Sequence, residues 1–178
     1  MIITSEDFNS GLYKIPQSKG LCNDDLENYI ARFEPQIIKE LLGCELGQIF
    51  LNDYNVGNKN MDTLEYQLLF DSICQDVKSN SFGCYNGIMK NNGLIDMLKG
   101  FVFFYYMRDF YNKRTLVNVA KVSGKVSDNV ENSAFGLYNF YNIAVESYRV
   151  IQYYVVENKD VVQYETYNGI DKDFTSYL

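Results

Sequence analysis

From Gly93 to Asp109 the chain reads GLIDMLKGFVFFYYMRD, apolar and aromatic on nearly every side of a helix. A segment with no polar face has to be buried on nearly all sides. Bracketed by Lys99 and Arg108-Asp109, it is too short to cross a bilayer. The pattern predicts the central helix, Leu94–Asn112, of a soluble helical protein. A second long stripe lies downstream. Leu137, Phe140, Tyr141, Ala144, Tyr148, Ile151 and Val155 recur at three-four spacing, and Tyr138, Val145 and Tyr153-Tyr154 widen the face. This predicts the longest helix, Glu131–Asn158, packed against more than one neighbour.

Upstream, Ser5 is placed to cap a brief turn through Phe8. Asn23 or Asp24 opens a helix carrying Leu26, Tyr29, Ile30 and Phe33, then Ile37, Ile38, Leu41 and Leu42, with Gly43 as its C-cap. Pro35 lies inside that stretch. It lacks an N–H and clashes with the preceding turn, so a kink or a restart is expected there. A short helix is expected over Cys44–Tyr54. A third is expected after Asp62, with Leu64, Leu68, Leu69 or Phe70, and Ile73 facing inward. Ser79–Asn92, rich in Gly, Asn and Ser, reads as a loop with a helical turn around Tyr85–Met89.

Two segments break the helical period. In Lys113–Asn129, Val117, Val119, Val122 and Val126 fall near alternate positions around Gly124, which predicts an extended arm or a hairpin. In Lys159–Leu178, Val161, Val162, Tyr164 and Tyr167 favour strand before a turn at Asn168-Gly169. That segment is either a frayed end or a piece that adds to a neighbouring subunit. The expected fold is all-α: a small helical bundle over residues 1–158 with an arm at 113–129, then a C-terminal extension at 159–178.

Composition narrows the chemistry. The 178 residues include 16 Tyr and 12 Phe, no Trp and no His. Many of the tyrosines fill the core, and the excess suits surfaces buried on association. Without histidine there is no Ser-His-Asp triad, no Cys-His pair and no His-ligated zinc. Cys22, Cys44, Cys74 and Cys84 lack C-x-x-C spacing and read as buried free thiols of a protein made in a reducing cytoplasm. The N-terminus has neither the basic nor the apolar region of a signal peptide. Gly83-x-x-x-Gly87 and Gly43-x-x-x-Gly47 lack the lysine of a phosphate loop. Acidic pairs such as Asp24-Asp25 and Asp171 with Asp173 are accounted for by capping and solvation. No catalytic, cofactor-binding or metal-binding residue is therefore assigned, no cofactor is expected, and the chain does not read as an enzyme. Arg108-Asp109 reads as a structural ion pair that orients the adjoining loop. The formal net charge of −7 disfavours a grip on phosphate, yet a channel lined by carboxylates lets DNA slide.

The order of YIARFEPQIIKELLG, GFVFFYYMRD, a loop, and VENS opening a long helix resembles the head–tail connector, or portal-adaptor ring, proteins of tailed bacteriophages. It is most similar to those of crAss-like phages of gut Bacteroidales, over about Asp24–Asn158. The resemblance implies a structural virion protein, synthesised in the bacterial host cytoplasm and placed at the head–tail junction. It implies a twelve-fold homo-oligomeric ring beneath the portal protein, docking the next tail or ring protein and passing DNA without specific binding. It implies no catalytic residue and no membrane contact. Pro35 and the 159–178 extension depart from the pattern. On this reading Val117, Val119, Val122, Val126, Tyr153, Tyr154, Tyr164 and Tyr167 are candidate inter-subunit contacts. The alternative is a small helical binding or regulatory module acting as monomer or dimer.

Overall fold

The computed structural model describes residues 1–15, 23–56, 61, 63–71, 73–77, 87–90, 92–118 and 127–173. They form a helical bundle: α1 (Asn23–Leu42), α2 (Cys44–Val56), a single turn α3 (Leu64–Gln67), α4 (Leu94–Asn118) and α5 (Ser127–Glu157). Between α3 and α4, β1 (Cys74–Val77) and β2 (Gly87–Lys90) pair antiparallel, with Cys74 opposite Lys90 and Val77 opposite Gly87. Short 3-10 turns lie at Ser5–Phe8 and Val162–Tyr164.

α4 is the core, packed on α5 and on α1. Phe101, Val102, Phe103 and Phe104 are four consecutive buried residues, as a helix without a polar face requires. Gly100 lets the helices approach. A Cβ there would stand 2.8 Å from the Cβ of Ala144 and 3.1 Å from the hydroxyl of Tyr13. The Tyr13 ring lies 5.9 Å from both Phe103 and Phe140, so the N-terminal segment closes the seam between α4 and α5.

Several expectations change. α1 is continuous through Pro35, which neither ends nor restarts it. Burial of Ile37, Ile38, Leu41 and Leu42 beyond the proline outweighs the local cost. The turn at Ser5–Phe8 starts one residue earlier than expected: Thr4 precedes it, and the Asp7 carboxylate accepts from the Thr4 N–H at 2.8 Å. The third helix stops after one turn, and Leu64 and Leu68 point out while Tyr66 and Leu69 point in. The chain has to turn there to meet the start of α4. The Leu94 N–H donates to the Leu69 carbonyl at 3.0 Å, and Gly93, at φ +93°, leaves no room for a Cβ against the Phe70 carbonyl. The helical turn expected around Tyr85–Met89 is replaced at Gly87–Met89 by strand, because β1 supplies partners that no local pattern reveals. Cys44 is exposed rather than buried, at the first position of α2.

The described residues of the arm are helical. α4 runs on to Asn118 and α5 begins at Ser127, so 113–118 and 127–129 are helical. β-branched residues cost only a few tenths of a kcal/mol each once a helix is nucleated. Val117 lies in α4; Val119, Val122 and Val126 fall outside the described residues.

Candidate functional site

The extension does not hang free. After α5 the chain turns back, forms the Val162–Tyr164 turn, and runs extended across the end of α1. The last carbonyls of a helix have no partners within it, and this segment supplies two. The Asn168 N–H donates to Leu42 O at 3.2 Å and the Ile170 N–H to Glu40 O at 2.7 Å. α5 holds the other side. The Tyr148 hydroxyl donates to Ile170 O at 2.5 Å, Gln152 Nε2 to the same oxygen at 3.0 Å, and Arg149 donates through Nε and Nη2 to Lys172 O at 3.1 and 2.8 Å. Lys172 Nζ pairs with Glu40 Oε2 at 2.5 Å and sits 5.3 Å from the Phe101 ring centre and 5.6 Å from that of Tyr148.

Of the tyrosines named as candidate inter-subunit contacts, Tyr153 and Tyr164 are buried within the chain itself, and Tyr154 and Tyr167 keep part of their surface exposed. Tyr164 is buried in the chain's own core, its hydroxyl donating to Glu65 O at 2.6 Å and its ring 6.4 Å from Tyr154. Burial holds its phenol well above the ordinary range. Burial pushes Tyr167 up to about 12, with Asp171 adding to the shift and Lys159 Nζ 5.8 Å from its ring. Tyr154 and Tyr164 are thus brought together, but within one subunit. The pattern of apolar residues is the same for a segment that packs at home or abroad, so sequence could not separate the two.

Arg108 and Asp109 lie within α4 rather than at its end. Arg108 Nε stands 3.0 Å from Asp109 Oδ1, and the Tyr29 hydroxyl donates to Asp109 Oδ2 at 2.9 Å. Burial, and then Asp109, raise the Tyr29 phenol. Beside them Phe33 stacks on Tyr105 at 4.6 Å, with the guanidinium of Arg32 5.2 Å from the Phe33 ring and that of Arg108 5.3 Å from the Tyr105 ring. Burial pushes Tyr105 up to about 12. The result is a layer of two half-buried aromatic rings flanked by half-buried Arg108 and exposed Arg32 on the α1–α4 face.

Glu34 was not singled out by sequence. It is buried on α1, and its carboxylate takes the Ile2 N–H at 2.9 and 2.8 Å and the Ile3 N–H at 2.9 Å. Burial raises its pKa above the ordinary carboxylate range, with the two amides and the chain's amino terminus opposing. Only its place next to Pro35, between Phe33 and Ile37 on a buried stripe, marks it in sequence. Among the described residues, no three His, Cys, Asp or Glu side chains are grouped to hold a metal, and no helix is long and apolar enough to cross a membrane.

Comparison with protein-family models, with curated proteins and with solved structures finds no match.

Proposed function

We propose that this chain is a structural virion protein, a ring subunit below the portal that joins a phage head to its tail and extends the DNA channel. The observation that carries the reading is the ordered resemblance to portal-adaptor ring proteins across Asp24–Asn158. Those segments fall in α1, α4 and α5, which pack consecutively as α1 on α4 and α4 on α5. The resemblance therefore bears on one continuous core. The Arg32–Phe33–Tyr105–Arg108 layer supports lateral contact, since arginine and aromatic side chains are enriched at the centres of interfaces. The partners on this reading are further copies in a twelve-fold ring, the portal protein and the next tail or ring protein. The charge of −7 supports passage of DNA without a grip on it.

Docking of residues 159–173 on their own bundle favours a second reading, a self-contained helical module acting as monomer or dimer. Mass photometry and electron microscopy of the purified protein, alone and mixed with portal, separate the two. A closed ring of several hundred kilodaltons is expected. A monomer or dimer in both conditions would replace the ring with the module.

A further inference from the structure

The corner where α3 meets the Val162–Tyr164 turn directs Tyr66 and Tyr164 inward and Leu64, Leu68 and Val162 outward. The Tyr164 hydroxyl donates to Glu65 O at 2.6 Å and the Tyr66 hydroxyl to Gln163 O at 3.4 Å, so the two short elements are tied reciprocally. Both tyrosines are buried. Their neighbours along the chain face water: Val162 is 74% exposed, Leu64 65% and Leu68 41%. Leu64 and Leu68 are one helical turn apart and therefore share a face. Scattered apolar residues on a surface call for no account, but a group on one corner does.

The charges around the corner are one-sided. Residues 63–71 contribute Glu65 and Asp71, and residues 158–167 contribute Asp160 and Glu165. Among the described residues of these two stretches, Lys159, which faces the Tyr167 ring, is the one cation beside four carboxylates. An apolar centre with an acidic rim repels its own like at this corner and favours a basic counterpart.

We propose that this corner docks another protein through an amphipathic segment, apolar along its middle and carrying Lys or Arg at its edges. The inference stands apart from the ring reading, since it concerns contact with a different chain whether or not copies of this one associate. Complementary charge sets encounter and register, and the aliphatic side chains supply the area removed from water.

The test uses the full chain and a leucine–lysine amphipathic helical peptide of about four turns, beside its leucine–glutamate counterpart. Titration followed by amide NMR should place the lysine peptide on residues 64–68 and 162–165. The double substitution Leu64→Ser with Val162→Ser should weaken it by about tenfold with the circular dichroism unchanged, because both side chains are already exposed. Glu65→Gln with Glu165→Gln should weaken it less and flatten its salt dependence. Equal binding by the Leu64→Ser/Val162→Ser protein would reduce the effect to charge adsorption and overturn the proposal. So would equal binding of the glutamate peptide. Self-association of the wild type that is lost in the same variant would give the corner to a second copy, which also overturns it.

Discussion

Gly169 crosses the last turn of α1 so closely that a Cβ at this position would stand 2.1 Å from the carbonyl oxygen of Leu41. On the facing side Gly43, at φ +91°, gives up its own Cβ to the Asn168 backbone, which would otherwise lie 2.8 Å away. The two glycines let the extension reach the unpaired carbonyls at the end of α1. Gly169→Ala should therefore lift the strap, at a cost of about 1–3 kcal/mol. Urea unfolding measures it, and an unchanged midpoint would mean that the crossing contributes nothing.

Gly100 and Gly136 provide an internal contrast. Both lie within helices, and both give up helix propensity relative to alanine. At Gly100 a Cβ would meet Ala144 at 2.8 Å, whereas at Gly136 nothing among the described residues lies within 4 Å. Gly136→Ala should stabilise by about 0.5–1 kcal/mol. Gly100→Ala should destabilise by about 1–3 kcal/mol, because helix separation is set by backbone and Ala144 rather than by a flexible side chain. Thermal melts of the two variants should move in opposite directions.

The same division separates what sequence reveals from what it does not. α4 was legible because an all-apolar helix has one solution, burial. α5 was legible from its three-four stripe, and the end of α1 from Gly43. Each is a local or periodic signal. The β1–β2 pair, the outward turn of Leu64 and Leu68, and the docking of 159–173 depend on partners beyond the reach of a local pattern. Val162 and Tyr164 have the same β-forming character in sequence, yet one faces water and the other the core. The Arg108–Asp109 pair was visible as neighbours; Tyr29, which completes it, lies 80 residues upstream.

Glu34 ties the N-terminal segment to α1 through the Ile2 and Ile3 amides, and its titration should be visible in stability. Burial raises the folded pKa above the unfolded value of about 4.3. The folded state then holds the proton more tightly, so this contribution is complete below the unfolded pKa and is lost as pH rises through the folded one. The stability difference between wild type and Glu34→Gln should accordingly shift against the wild type as pH rises from below about 4 through the raised value. Paired urea titrations across that window measure it. A shift in favour of the wild type would mean that the Ile2 and Ile3 amides and the chain's amino terminus outweigh burial.

Lys172 offers the sharpest test of whether the extension is part of the fold. Its ammonium meets Glu40 and lies near the rings of Phe101 and Tyr148, with only 13% of its side chain exposed. Lys172→Met keeps the apolar stem and removes the charge, leaving Glu40 without this partner at the end of α1. A loss of about 1–3 kcal/mol is expected. Two amides report the consequence directly. Those of Asn168 and Ile170 donate to Leu42 and Glu40, so they should exchange slowly in the free wild-type protein. In Lys172→Met they should exchange faster, while amides of α4 such as Val102 change only with global stability. Fast exchange of both in the wild type would return the segment to a frayed end and leave the end of α1 capped by water.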